Sequence, residues 1–233
     1  MIDLRERSNQ EEIMDDLSSK GKVIDQSLKE LDIINKYLGG NQITINGLKK
    51  LRNNQKSLKI VDLGCGSGEM LRKIYLWGKK NDITLDLTGI DANPHIIKYA
   101  RKHNPAGINF EVNNIFDPSP SFSSERYDII LATLITHHFT TEQLIFLLSQ
   151  WKNQAALGIV INDLHRHILA YQSIRLLTTI FSKSSMVKND GPLSVARSFR
   201  RSDWEYILTE AGIKHYTLSW KWAFRWDLII YKN

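Results

Sequence analysis

The sequence has few of the features that mark secreted and membrane proteins. Its 233 residues contain one cysteine, Cys65. No disulfide can therefore form within the chain, and a reducing compartment fits best. No apolar run approaches the ~18–20 residues that span a bilayer. The first residues, Met1 to Glu6, lack the basic and then apolar pattern of a signal peptide. These absences predict a cytoplasmic protein without a membrane span.

The sequence also lacks a strong excess of one charge. Lys and Arg total 31 against 25 Asp and Glu, which gives a formal net charge of +6. The basic residues are spread along the chain, apart from short clusters at 49–52 and 197–201. This distribution favours a solvated surface over a nucleic-acid interface. The length suits one α/β domain with a small addition.

The order of apolar patterns predicts the fold. Short apolar runs alternate with helical patterns, which predicts a parallel sheet with helices on both faces. The alternating residues 214–232 predict two more strands in a hairpin. The fold class is therefore a doubly wound, mostly parallel, seven-stranded Rossmann-like α/β sheet. The five earlier strands are predicted at 58–63, 85–90, 108–112, 127–132 and 157–161.

The two ends of the chain carry other patterns. Residues 1–56 read as an N-terminal helical cap with two amphipathic helices, the first ended by Gly39-Gly40. The main domain then covers 57–233. Within it, Thr141 and Ser202 are predicted to cap two helices. The polar residues 182–200 are predicted to form a loop.

A glycine loop carries the strongest functional signal. The first strand runs into Asp62-Leu63-Gly64-Cys65-Gly66-Ser67-Gly68, with glycines at alternate positions. Glycine permits a tight turn and close approach of a ligand, and the following helix start offers free amides. Dinucleotide enzymes use Gly-x-Gly-x-x-Gly, which is one residue longer. Asp62 would suit a cationic amino group better than a pyrophosphate. A purely structural turn is the alternative.

Polar residues also follow the next two strands. Asp91 at the end of the second strand can accept bonds from ribose hydroxyls, although it can also cap the next helix. Asn114 after the third strand can bond to an adenine edge while Ile115 offers an apolar face. A turn asparagine is an equally common reading.

In order and spacing, these residues resemble the cofactor motifs of class I S-adenosylmethionine-dependent methyltransferases. The resemblance covers residues 57–165. It implies S-adenosylmethionine as the cofactor, with the glycine loop on its methionine part, Asp91 on its ribose and Asn114 beside its adenine. The family's sheet ends in an antiparallel seventh strand, which the C-terminal hairpin fits. The expected cofactor-binding residues are Asp62, Gly64, Cys65, Gly66, Gly68, Asp91, Ala92, Asn114, Ile115 and Ala132.

Candidate catalytic residues follow the fourth and fifth strands. His137 and His138 are candidates for a general base, because histidine titrates near neutrality; packing or helix capping is the alternative. No metal site is expected, since adjacent histidines without a carboxylate cluster chelate poorly. Asp163, His165 and Arg166 are expected near the acceptor. The alternative is an Asp–Arg ion pair that caps the next helix.

The absence of one motif indicates which type of atom the enzyme methylates. Amino-group methyltransferases of nucleic acids often carry Asp/Asn-Pro-Pro-aromatic after the fourth strand, whereas this chain has Ala132-Thr133-Leu134-Ile135. Transfer to oxygen or carbon is therefore favoured. The chain also resembles bacterial small-molecule methyltransferases of the polyketide, phenol and quinone type, which implies an aromatic or phenolic acceptor. The resembling segments are Asn35-x-x-Leu38-Gly39-Gly40, Asp163-Leu164-His165-Arg166 and Asp190-Gly191-Pro192.

The C-terminal segment contains four aromatic residues at alternate positions. Trp220, Trp222, Phe224 and Trp226 alternate, so on a strand they would share one face, as core or as an apolar substrate wall.

Three other functions compete with a small-molecule methyltransferase. An RNA methyltransferase is the first alternative, although no appended RNA-binding module is seen and nucleic acid is not the expected partner. A cofactor-binding module without catalysis is the second. An NAD-linked dehydrogenase is the third, and the loop spacing disfavours it.

Overall fold

A computed structural model describes residues 3–232 except 118–121 and 123. Seven strands form one sheet in the order β3-β2-β1-β4-β5-β7-β6. The first five strands are parallel, and β7 runs antiparallel to both of its neighbours. The predicted doubly wound fold with an antiparallel strand is confirmed. The strands are β1 (Ser57–Leu63), β2 (Thr84–Asp91), β3 (Asn109–Val112), β4 (Tyr127–Thr133), β5 (Ala155–Leu164), β6 (Tyr216–Lys221) and β7 (Arg225–Tyr231).

The helices in the described part of the chain cover both faces of this sheet. One core joins the sheet to α2, α3 and α4, and a second core joins it to α5 and α8. Neighbouring residues of β1, such as Ile60 and Val61, belong to opposite cores, which is why this strand is apolar without a gap. The helices are α1 (Lys22–Tyr37), α2 (Gly40–Arg52), α3 (Glu69–Lys80), α4 (Pro94–His103), α5 (Thr141–Gln154), α6 (Ile168–Phe181), α7 (Ser185–Arg197) and α8 (Arg201–Glu210), with short 3-10 helices at Ile13–Asp15 and Thr136–His138.

The N-terminal helices differ in their relation to the sheet. In α2, Leu48 and Leu51 pack in the same core as Ile60 of β1. A Cβ on Gly47 would lie 2.6 Å from Val160 Cγ1, so α2 lies directly against β5. In contrast, α1 packs in a small separate cluster with α4 and α7. The boundary at residue 56 stays a prediction.

The predicted loop at 182–200 is wrong, because most of it is helix α7. Its N-cap is Ser184, whose hydroxyl accepts a hydrogen bond from Val187 N. Pro192 lies inside the helix, where it has no N–H to donate to the preceding turn. Met186 and Val187 are buried, so packing outweighs the helix-breaking propensity of Gly191-Pro192.

Both predicted helix caps are displaced by one or two residues. Thr140, and not Thr141, caps α5: its hydroxyl accepts from Gln143 N, and the Gln143 side chain accepts from Thr140 N. Ser202 lies inside α8, which begins after Arg200. There the Asp203 carboxylate accepts a bond from Arg200 N at 2.6 Å. A side chain that reaches back from the third helical position therefore decides both starts.

The aromatic tail does not share one face, because the strand ends within it. Trp222 and Phe224 lie in the turn between β6 and β7, where Ala223 and Phe224 have positive φ. Trp222 is 76% exposed, whereas Trp226 on β7 is buried. In the described residues no helix combines the length and apolar character needed to cross a lipid bilayer.

Candidate active site

The glycine loop lies between β1 and α3 at the carboxyl edge of the sheet. Gly64, Gly66 and Gly68 all have positive φ, which glycine adopts without strain. A Cβ on Gly64 would lie 2.5 Å from Ile135, and one on Gly68 would lie 2.7 Å from Phe110. A Cβ on Gly66 would meet only Leu28, at 4.0 Å. The middle of the loop thus faces open space and allows close approach of a ligand.

Asp62 is a buried carboxylate with an unpartnered oxygen. It is 2% exposed, and its Oδ1 has no hydrogen-bond partner among the described residues. Burial, and then the charge of Asp91, raises the pKa of Asp62 to about 8. Leaving such a group unpaired is costly. The Asp62 side chain therefore fits a cationic ligand group.

Asp91 orders the glycine loop from the end of β2. Its Oδ2 accepts a bond from Gly66 N at 3.2 Å, and its Oδ1 accepts one from Asn93 N at 3.0 Å. Burial raises the pKa of Asp91. Each carboxylate oxygen keeps a further lone pair for ligand hydroxyls. Asn114 forms a turn instead of pointing a free acceptor outward, because its Oδ1 accepts from Phe116 N.

Eight of the ten predicted cofactor residues line one large cavity of about 1200 Å³. Gly68 and Ala132 do not line it. Gly68 caps α3 against Phe110, and Ala132 is fully buried in β4, while the next residue, Thr133, reaches the cavity. The eight are Asp62, Gly64, Cys65, Gly66, Asp91, Ala92, Asn114 and Ile115.

His137 lies on the same cavity and is held by Asp163. Its Nδ1 lies 2.7 Å from Asp163 Oδ1, and its backbone N donates to Oδ2 at 3.0 Å. Thr136 and the backbone of Leu164 also donate to this carboxylate. Burial alone would raise the pKa of Asp163, but the charge of His137 and these hydrogen bonds lower it to about 2. An ionised Asp163 accepts a proton donated from Nδ1, so in the neutral form of His137 it is Nε2 that carries the lone pair.

His138 is oriented in the same way by the N-terminal segment. Its Nδ1 lies 2.5 Å from Asp15 Oδ1, and Arg197 donates to the other oxygen of Asp15 at 2.5 Å. Glu12 is buried, and its carboxylate lies 3.7 Å from His137 Nε2 and 3.9 Å from His138 Nε2. Burial raises the pKa of Glu12 to about 7, against the opposing charge of His138.

Glu12, Asp15 and Arg197 were missed by sequence reasoning. Glu12 and Asp15 form a reciprocal cap of the 3-10 helix Ile13–Asp15, and a Glu-x-x-Asp spacing on a short polar segment is a weak signal for that turn. No local pattern shows that this turn docks on residues more than a hundred positions later. Asp190 of α7 fixes it there by accepting bonds from the backbone N of Ile13 and Met14.

His165 and Arg166 lie away from this cavity, on a separate smaller pocket. Arg166 donates to the carbonyl of Leu4, to that of Ser198 and to the carboxylate of Asp203. His165 packs its ring against Trp226, and burial followed by the charge of His167 lowers its pKa to about 4. Arg166 thus ties the N-terminal segment to α8. The ion pair considered in the sequence forms with Asp203 instead of Asp163.

A family profile described as "Methyltransferase domain" matches residues 54–212. The chain belongs to this family. No curated protein sequence matches this methyltransferase significantly. The family confirms the predicted class, a methyltransferase, and the fold is the one expected for it.

Solved structures of the same fold include several methyltransferases. This methyltransferase is similar to the plantazolicin methyltransferase BpumL in complex with a triazolic desmethylPZN analog and SAH, with a TM-score of 0.67 at 22% identity over 90% of each chain. It is also similar to human N-acetylserotonin methyltransferase in complex with SAM, with a TM-score of 0.62 at 17% identity over 92% of this chain and 57% of that chain. The citrinin polyketide synthase CMeT domain gives a TM-score of 0.58 at 17% identity, over 78% and 48% of the two chains.

Proposed function

We propose that the enzyme transfers a methyl group to an oxygen or carbon atom of a small aromatic or polyketide-like acceptor. The observation that carries this proposal is the shared cavity. The unpartnered carboxylate of Asp62 and the imidazole of His137 line the same space. A cofactor site and a proton acceptor therefore meet where a small molecule can lie.

The cofactor end of the cavity fits S-adenosylmethionine. Asp62 would pair with its ammonium group, since its Oδ1 has no other partner in the described part of the chain. Asp91 would accept bonds from the ribose hydroxyls while it holds the loop through Gly66 N. Bound there, S-adenosylmethionine supplies an electrophilic methyl group.

The chain's own residues would align and deprotonate the acceptor. The carboxylate of Asp163 fixes the ring of His137 and keeps the proton on Nδ1. The Nε2 lone pair can then take a proton from an acceptor hydroxyl or an activated carbon. The N-terminal segment is held over the site, because Arg7 donates to the carbonyls of His137, Phe139 and Arg197, and in this place it would shield a bound acceptor from water. His138 presents a second imidazole to the same cavity.

The acceptor end of the cavity has apolar walls. Most of its lining comes from the N-terminal segment, α1, α6, α7 and the β6–β7 turn. Apolar walls with a few placed polar groups are typical of small-molecule sites. The apolar residues include Met14, Leu28, Leu31, Phe139, Ile174, Leu177, Met186, Trp222 and Phe224.

The lining also disfavours the alternatives. An RNA site needs cations that are free to bind phosphates. Arg7 and Arg197 of the lining are engaged with protein carbonyls and with Asp15. Arg225, which also lines the cavity, is 2% exposed and donates to Asn35, so a phosphate cannot readily reach it. A module without catalysis would need no cavity beside the cofactor end. Ile135, packed over Gly64, stands where an amino-group methyltransferase carries its polar turn.

A methyl-uptake screen tests the proposal. Phenols, quinones, polyketides and total RNA are each incubated with the enzyme and labelled S-adenosylmethionine, with His137→Ala as the matched control. We expect label in at least one small-molecule class with wild-type protein, and strongly reduced label with the variant. Label in RNA alone, or equal label with the variant, contradicts the proposal.

A further inference from the structure

Two imidazoles and one carboxylate converge at the acceptor end of the cavity. His137 Nε2 lies 3.7 Å from Glu12 Oε1, and His138 Nε2 lies 3.9 Å from Glu12 Oε2. One ligand atom from each of these three residues lies within 4.8 Å of the other two. We call these three side chains the Glu12 cluster.

The spacing in the Glu12 cluster is too long for direct hydrogen bonds and short enough for a shared ion. An N–H donor and a carboxylate oxygen bond at about 2.7–3.2 Å. Two ligands of a tetrahedral ion with bonds of about 2.1 Å lie about 3.4 Å apart. The observed 3.7 and 3.9 Å fall near the second value. A small inward movement would complete such a site.

Each histidine is held as metal-binding histidines are held. The Nδ1 of His137 bonds to Asp163, and the Nδ1 of His138 bonds to Asp15. Carboxylates on the far ring nitrogen orient the imidazole and raise its basicity as a ligand. Both Nε2 atoms are consequently turned toward the same carboxylate of Glu12.

Glu12 supplies an independent sign that a ligand belongs there. The residue is 6% exposed, and its Oε1 has no hydrogen-bond partner among the described side chains and backbone. Its Oε2 accepts a bond from the Ser194 hydroxyl. A buried carboxylate oxygen that lies 3.7 Å from an imidazole nitrogen without a hydrogen bond is a costly arrangement that a cation would satisfy.

The nearby cations do not fill this role. Arg197 Nε lies 3.9 Å from Glu12 Oε1, but its guanidinium donates to Asp15 and to the carbonyls of His137 and His138. Arg7 donates to backbone carbonyls. Around the two histidines, the three carboxylates of Glu12, Asp15 and Asp163 therefore outnumber these two arginines.

We propose that the Glu12 cluster binds a divalent transition-metal ion of the Zn²⁺ type. Two imidazoles and a carboxylate suit Zn²⁺ and its neighbours and not Mg²⁺, which prefers oxygen ligands. The sequence analysis expected no metal site because it found no carboxylate near the two histidines. In the structure, the N-terminal segment places the carboxylate of Glu12 beside both of them.

The site would have two consequences for the enzyme. An ion held by three protein ligands keeps an open position, which faces the cavity and could take an acceptor oxygen. His137 would then bind the ion through Nε2 and would not act as the general base. The ion would take over that role, because it would lower the pKa of a bound acceptor hydroxyl. The ion would also tie the N-terminal segment to the end of β4. Metal binding itself does not depend on the proposed acceptor.

Equilibrium dialysis of metal-stripped, full-length protein against Zn²⁺ alone tests the proposal, with Co²⁺ as a spectroscopic probe. We expect one ion per chain, tetrahedral Co²⁺ absorption, and slower proteolysis of residues 3–21 when Zn²⁺ is present. Glu12→Gln and His138→Ala should lose the ion, and Asp15→Asn should weaken binding by about 10–100-fold. His215→Ala removes an exposed histidine and is the matched control.

Binding of S-adenosylhomocysteine shows that each variant is folded. The proposal is overturned if wild-type protein binds no Zn²⁺, or if folded Glu12→Gln and His138→Ala bind it as tightly as the control. Because no acceptor is present, this result is separate from that of the methyl-uptake screen.

Discussion

Replacing Asp62 by asparagine should stabilise the ligand-free protein while it weakens cofactor binding. Asp62 is buried, its Oδ1 is unpartnered, and burial raises its pKa to about 8 from an ordinary value of 3.8. Folding at neutral pH therefore forces this carboxyl to take up a proton that the unfolded chain does not bind. Asparagine has nearly the same shape and no charge, so the variant avoids that penalty.

The magnitude follows from the pKa difference. A shift of one pKa unit corresponds to about 1.4 kcal/mol, so the penalty at pH 7 is roughly 4 kcal/mol. The new amide leaves its own polar atoms unpaired, which costs about 1–2 kcal/mol. We expect a net gain of about 2–3 kcal/mol in the free energy of unfolding. For a chain of this length that raises Tm by roughly 5–10 °C.

The pH dependence has a definite sign. A carboxyl whose pKa is raised in the folded state contributes stability below its unfolded pKa and loses it as pH rises through the folded pKa. The net advantage of Asp62→Asn should therefore grow by about 1.4 kcal/mol per unit between pH 5 and pH 7 and level off above pH 8, and it should be lost near pH 5, where the proton penalty falls to about the cost of the unpaired amide. Groups that do not interact with Asp62 cancel in the difference between the two proteins, whereas Asp91 is coupled to it and does not.

Thermal and urea unfolding at pH 5, 6, 7 and 8 measure this difference. Asp82→Asn makes the same chemical change at an exposed position, and we expect no comparable gain from it. S-adenosylhomocysteine should stabilise wild type much more than Asp62→Asn, because its ammonium pairs with the ionised carboxylate. If Asp62→Asn is less stable than wild type across this range, Asp62 is not an unpaired buried acid.

The remaining predictions concern the other polar residues of the site and its surroundings. His137→Ala and His138→Ala should lower kcat while the Kd for S-adenosylhomocysteine stays within about twofold; full activity of both variants in steady-state assays would refute their role. Asp91→Ala should weaken cofactor binding by about 1–3 kcal/mol in calorimetry, because it removes charge-assisted bonds, and an unchanged Kd would remove its ribose role. Asp163→Asn should lower kcat with little change in KM, since it misplaces the proton on His137, whereas a purely structural Asp163 would change Tm alone. Arg166→Met should lower the free energy of unfolding by about 2–4 kcal/mol in urea titrations, because two carbonyls and Asp203 lose their partner, and an unchanged midpoint would contradict that contact set.

Local pattern was sufficient to predict the strands along the chain and the glycine loop that lines the cavity. Gly64, Gly66 and Asp91 stand at fixed offsets from strand ends, and parallel strands bring their carboxyl ends to one edge. The hairpin at the C-terminus was also readable, because its residues alternate. These features depend on neighbours in sequence or on a single rule of sheet topology.

Features decided by long-range packing could not be predicted in this way. Helix α7 contains Gly191-Pro192 and forms because its other residues are buried by α1 and α6. Arg166 looked like part of a polar cluster at a strand end, yet its partners Leu4 and Asp203 come from both ends of the chain. The spacing around Glu12 signals at most its own turn, because its partners His137 and His138 follow the carboxyl end of β4 and no local spacing links them to it.

The N-terminal segment also explains why the sequence alone did not decide the roles of His137 and His138. His137 and His138 are adjacent, but different carboxylates hold them: Asp163 from β5 and Asp15 from the N-terminal segment. A pair of histidines alone fits packing or acid–base chemistry, and without a nearby carboxylate it is a poor metal site. The surrounding carboxylates decide between these readings, and only the tertiary structure shows them.

The most direct test of the cofactor site is a crystal structure of the protein with S-adenosylhomocysteine. We expect the nucleoside to bind in the cavity above β1 and β2. Its ammonium group should bond to Asp62 directly or through one water, and its ribose hydroxyls should donate to Asp91. A nucleoside bound elsewhere, or an Asp62 carboxylate that still has no partner with the ligand in place, would contradict this expectation.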